Sequence, residues 1–149
     1  MSSLPTELAD SVVQLRASLV EINGAEQTCM TNAVAGASQD ERLPEVQAIM
    51  ARCRQTAAAA AAAAIDTFRY ECSEIGAQAN SLTNAAIAAA AAKSVSDFWI
   101  KSESYAAAFA SEEAALLPAH GPDKTTQAIK NTYSDRASSI NRYFEQLST

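Results

Sequence analysis

The eight-alanine run Ala57–Ala64 constrains this chain more than any other stretch. Alanine has the highest intrinsic helix propensity and loses no side-chain entropy on ordering. Its small size has a second consequence: two helical turns without bulk let another helix approach closely. Ala88–Ala92 forms a second bare patch further along. A turn near Asn80–Ser81 sets residue i opposite a residue near 161 − i, so Ala64 falls near Asp97 and Cys72 opposite Ala89. The two patches are then offset, and large residues of one helix settle onto alanines of the other. The rival arrangement is one continuous helix through residues 44–117, which would need a partner chain to bury its apolar seam.

The rest of the chain reads as helix too. Pro5 and Thr6 open a first element, with Glu7 and Asp10 near its start, where acids suit the positive end of the helix dipole. Leu8, Val12, Leu15, Leu19 and Ile22 follow as one narrow seam. Asn23-Gly24 is a candidate interruption; the seam is expected to resume through Cys29 and Ala33 and to end at Gly36. Ser38–Glu41 reads as a capping box in a short turn, and Pro44 suits the first turn of a second helix. Its expected seam is Val46, Met50, Cys53, Ala57, Ala60, Ala64, Phe68, Cys72 and Ile75. The steps Ala57 to Phe68 and Ala64 to Ile75 are eleven residues, about 3.67 per turn, which does not impose a left-handed supercoil.

Ser81 is the expected cap of a third helix, with Ala88, Ala91, Val95, Phe98, Ser102, Tyr105, Phe109 and Leu116 on its seam. Pro118 is expected to stop it, with a turn at 119–122. Asp123 then caps a last helix carrying Ile129, Tyr133, Ala137, Ile140, Phe144 and Leu147. No alternation with period two appears, so no strand is expected. The fold class expected is all-α: one domain over residues 1–149, an elongated antiparallel bundle of about four helices, two of them very long and alanine-rich.

Composition excludes several chemistries. The net charge is −6, and five of those charges arise in residues 1–45. Without a basic stripe, nucleic-acid binding is not expected. The acid serves first as a solvated face. The carboxylate di-metal site of many bundles needs two Glu-x-x-His motifs, and the single histidine, His120, lies in a turn. No metal, haem or other cofactor is expected, nor a catalytic triad or a glycine-rich phosphate loop. The three cysteines, Cys29, Cys53 and Cys72, form no C-x-x-C and read as reduced, buried thiols, which suits a cytoplasmic protein. The N-terminus has no signal-peptide pattern, and no apolar run has the length and bulk to span a bilayer.

Two resemblances bear on function. Thr56 and Thr67, and again Thr83 and Ser94, stand eleven residues apart among alanines. This resembles the alanine-rich helical antifreeze proteins and implies an ice-facing row of hydroxyls. In Ser73–Leu117, the segment Glu74–Asn80, an alanine-rich helix, and then Ala92–Phe98 with a polar amphipathic continuation resemble the phasins. These are helical proteins that coat polyhydroxyalkanoate granules, so the resemblance implies an apolar granule surface as target.

Phe98, Trp99, Tyr105 and Phe109 form the largest aromatic cluster. Their simplest role is packing against the alanine runs. The functional alternative makes them a partner-binding patch, with Trp99, beside the seam, as an exposed anchor. The function expected is non-enzymatic: long helix faces presented to a protein partner, another copy of the chain included.

Overall fold

The computed structural model describes residues 4–37, 43–78 and 82–148. Helix begins where the sequence places it. Pro5 precedes a single 3-10 turn at Thr6–Leu8, which runs directly into α1, Ala9–Ala35. Gly24 does not interrupt α1, because Asn23 is held inside the bundle by a hydrogen bond from its Nδ2 to Tyr133 O (2.9 Å). Helix α2 spans Leu43–Gln78 and α3 spans Leu82–Ala115. At 1.5 Å per residue these are about 54 and 51 Å long. The one-turn helix α4, Leu117–His120, then leads into α5, Pro122–Leu147.

The described residues contain no strand, and the fold is an all-α bundle. The long helices form a ring in which α1 packs on α2, α2 on α3, α3 on α5 and α5 on α1. α2 and α3 therefore fold back as a hairpin and do not form one rod. A methyl group built on Gly76 would lie 3.9 Å from Ala85 Cβ, and Cys72 and Ala89 line one shallow groove. Both pairs match the expected register. The expected turn at Asn80–Ser81, the Ser81 cap and the capping box at Ser38–Glu41 lie outside the described residues.

The junction before α5 differs from expectation. Pro118 lies inside α4 and not in an open turn. Gly121, at φ +81°, makes the break, because only glycine adopts that conformation without strain. Pro122 opens α5, so Asp123 sits in its first turn and not at the cap.

The eleven-residue step extends through the whole bundle. Buried positions in the 3-10 turn and α1 recur as Leu8, Leu19, Met30 and as Val12, Asn23, Val34. In α2 they recur as Val46, Ala57, Phe68 and as Met50, Ala61, Cys72. In α3 the series is Ala88, Trp99, Ala110, and in α5 Ile129–Ile140 and Tyr133–Phe144 repeat the step. A period near 3.67 is close to that of a straight helix, so the stripes stay in register over long distances.

All four expected seams are corrected by one residue in part: in α1 Met30 and Val34 are buried in place of Cys29 and Ala33, and in α5 Arg136 is buried in place of Ala137. In α2, Ala61 and Ile65 are buried, whereas Ala60 is exposed and Ala64 half-buried. An alanine run carries no bulk to set its own phase, so Ile65 sets it. In α3, Trp99, Ala106, Ala110 and Ala114 face inward in place of Phe98, Tyr105 and Phe109. The largest side chain takes the core, and the alanines after it leave room for Met30, Met50, Ile129 and Tyr133.

Ala61 has no exposed surface, so Ala61→Leu should overfill the core and lower stability by about 1–3 kcal/mol in urea titration. Ala60→Leu, on the exposed side, should be close to neutral. Equal effects at both positions would contradict the observed phase of α2.

Candidate functional site

The core has two apolar halves. One joins Leu8 of the 3-10 turn and Val12, Leu15 and Leu19 of α1 to Phe68, Val95, Trp99 and Phe144; the other joins Met30 and Val34 to Met50, Ala110 and Ile129. Between them lies a polar layer. Glu26 occupies the slot eleven residues after Leu15, and Arg136 the slot eleven after Thr125. They are 3% and 5% exposed. The Tyr133 hydroxyl donates to Glu26 Oε2. Arg136 Nη1 is 3.8 Å from Glu26 Oε1, and its Nε donates to Ser102 Oγ at 2.9 Å. The guanidinium also lies over the Trp99 ring, 4.3 Å from its centroid.

Burial governs the electrostatics here. Desolvation raises the Glu26 pKa above the ordinary carboxylate range, outweighing the Tyr133 hydrogen bond and the Arg136 charge. Desolvation also raises the Tyr133 pKa and lowers that of Arg136. Both members of the ion pair are thus penalised for their charge. The folded state holds the Glu26 proton to higher pH than the unfolded chain does. As pH rises from about 4.5, the ordinary value for Glu, to the raised folded value, the Glu26 contribution to stability should fall. Urea titrations across this window should show Glu26→Gln gaining on the parent protein as pH rises. A constant difference would mean that the Glu26 pKa is unshifted.

A disulfide joins Cys29 of α1 to Cys53 of α2, which corrects the expectation of three reduced thiols. Cys53 is buried and Cys29 faces outward, one residue off the buried stripe. Cys72 alone is free and buried, and burial pushes its thiol up to about 11 with a smaller push from Glu71.

The expected aromatic patch does not assemble as one surface. Trp99 is 5% exposed, which rules it out as an exposed anchor in this structure. Phe98 is half-buried and stacks on Tyr143 with ring centroids 4.1 Å apart. Phe109 is also half-buried, whereas Tyr105 is 73% exposed. The hydroxyl row implied by Thr56, Thr67, Thr83 and Ser94 is partly engaged: Thr67 Oγ1 donates to Ala63 O, and Ser94 Oγ lies 2.6 Å from Tyr143 Oη.

The α3–α5 seam stays open on either side of Tyr143. One groove, of about 720 Å³, is apolar and lined by Leu82, Ala86, Ile87, Ala90 and Leu147. The other, of about 510 Å³, runs from Phe98 to Ala106 on α3 and from Thr132 to Arg142 on α5. Among the described residues no helix is long and apolar enough to cross a membrane, and no cluster of His, Cys, Asp or Glu has the arrangement of a metal site.

Sequence reading missed the polar layer and the disulfide. The signal for the layer was present: Glu26 and Arg136 each fall on an apolar stripe. The disulfide also had a signal. A turn centred near residue 41 sets Cys29 opposite Cys53 by the same arithmetic that pairs Cys72 with Ala89. Comparison of the chain with protein-family models, curated proteins and solved structures gives no match.

Proposed function

We propose that this is a non-enzymatic helical protein that binds a protein partner through the α3–α5 face. The observation that carries this reading is the open seam between those helices, with Tyr105 standing 73% exposed on the rim of its polar groove. Tyrosine supplies large contact area at low entropic loss and is enriched among residues that dominate interfaces. The Glu26–Tyr133–Arg136 layer is assigned to structure and not to reaction chemistry, because its groups face one another inside the core. As to compartment, the cytoplasmic expectation rested on reduced thiols. A Cys29–Cys53 bridge favours an oxidising compartment instead.

The test is site-specific photocrosslinking in an extract of the native source. A photoreactive residue at position 105 should yield a crosslinked partner, and one at Tyr70, exposed on α2, should not. Tyr105→Ala should reduce capture about tenfold with unchanged helicity. Crosslinking from position 70 alone would sink the reading. If the adduct has twice the mass of the chain, the partner is a second copy. A phasin-like coat protein would instead adsorb to apolar emulsions whether or not Tyr105 is present.

A further inference from the structure

We propose that the groove between Phe98–Ala106 and Thr132–Arg142 is a binding site for a small organic anion, a carboxylate or a phosphate carried on an apolar body. This site does not rest on the partner reading. The chain is acidic overall, with a net charge of −6, yet this groove gathers Lys101, Arg136 and Arg142 against the single acid Asp135. Lys101 and Arg142 make no ion pair with any described residue. They are exposed at the rim, free to meet a ligand.

Arg136 is the second, independent observation. It is more than nine-tenths buried and lines the same groove. Its Nη1 and Nη2 have no hydrogen-bond partner among the described residues, and the nearest carboxylate oxygen, Glu26 Oε1, is 3.8 Å from Nη1. Glu26 offsets the charge of this guanidinium but lies beyond hydrogen-bond reach of Nη1, so Lys101 and Arg142 supply the net positive charge of the groove and Arg136 acts through its hydrogen bond to Ser102. Ser102 carries that link to the groove wall. Because Ser102 Oγ accepts from Arg136 Nε, its own proton remains available to donate to an anion in the groove.

The remaining wall selects for an apolar body. Phe98 is fixed by its stack on Tyr143, and Tyr143 is in turn fixed by Ser94. This brace stands between the polar groove and the apolar groove beside it. Phe98 and Tyr105 then flank a space of about 510 Å³, within the range of roughly 300–1,000 Å³ typical of small-ligand pockets. Phe98 to Ala106 is about 12 Å of helix rise, which matches a small ligand and is short for a docked helix.

The experiment is calorimetric titration of the intact, oxidised protein with 1-naphthyl phosphate, 1-naphthoate and neutral 1-naphthylmethanol. The two anions should bind saturably at one site per chain, and the neutral analogue at least tenfold more weakly. The tighter anion identifies the head group as phosphate or carboxylate. Lys101→Gln with Arg142→Gln should weaken anion binding at least tenfold while the circular dichroism spectrum stays unchanged, because neither cation is ion-paired to a described residue. Asp135→Asn should strengthen it, and Ala90→Leu, which fills the apolar groove, should leave it unaltered. Non-saturable binding overturns the proposal. So does equal binding of the neutral analogue, or loss of binding on Ala90→Leu with retention in the Lys101/Arg142 variant. None of these outcomes bears on crosslinking from position 105, so the partner reading stands or falls separately.

Discussion

Arg136→Ala is expected to destabilise the bundle by about 3–5 kcal/mol, the usual effect of removing one member of a buried ion pair. The substitution leaves the Glu26 carboxylate in the core with the Tyr133 hydroxyl as its one remaining hydrogen-bond donor among the described residues. It also strips the guanidinium from the face of Trp99 and opens a void between the two apolar halves of the core. The loss should be read in urea titrations near pH 7. At pH values low enough to protonate Glu26 in the folded state it should shrink, since the orphaned group is then neutral. The companion variant Glu26→Leu with Arg136→Met should recover most of the loss, because apolar groups of similar volume need no solvation. A loss below about 1 kcal/mol for Arg136→Ala would show that the layer is hydrated and not a buried pair.

The second large effect belongs to the disulfide. Cys29 and Cys53 are 24 residues apart, and closing a loop of that length stabilises by about 3.5 kcal/mol in the chain-entropy description. The pair Cys29→Ser and Cys53→Ala should lose about that much without loss of helicity, since α1 and α2 also share apolar contacts. Thiol counting gives an independent check. Unfolded without reductant, the chain should titrate one thiol, Cys72; folded, it should react slowly, because Cys72 is buried and its thiolate disfavoured. Three thiols in the unfolded, unreduced protein would show the bridge to be absent.

How much of the candidate site was legible differs from residue to residue. Tyr105, expected on the α3 seam and in the partner-binding patch only as the alternative to core packing, stands exposed. Trp99, marked as the anchor of that patch, is in the core. Adjacent residues on a helix point about 100° apart, so a choice between positions 98 and 99 depends on the phase of the whole stripe. That phase cannot be read from a segment in which alanine fits either way. Arg136 and Ser102 form part of the groove only because α3 and α5 pass side by side, and no local pattern in either segment names the other.

The sequence by itself determined that the chain is helical, where its long elements run, and the register, Cys72 opposite Ala89, that a fold-back at Asn80–Ser81 would have, while leaving the continuous helix as its rival. These follow from propensity, from the spacing of apolar residues and from turn position, all of which are local. The tertiary structure alone decided which alanines are core and which are surface, that Glu26 and Arg136 share one buried layer, and that the α3–α5 seam stays open. The physical reason is the same in each case. A methyl group is nearly as acceptable in water as in a core, so alanine does not choose its own side. The few large residues, Ile65, Phe68, Trp99, Tyr133 and Phe144, make that choice when four helices compete for the same interior.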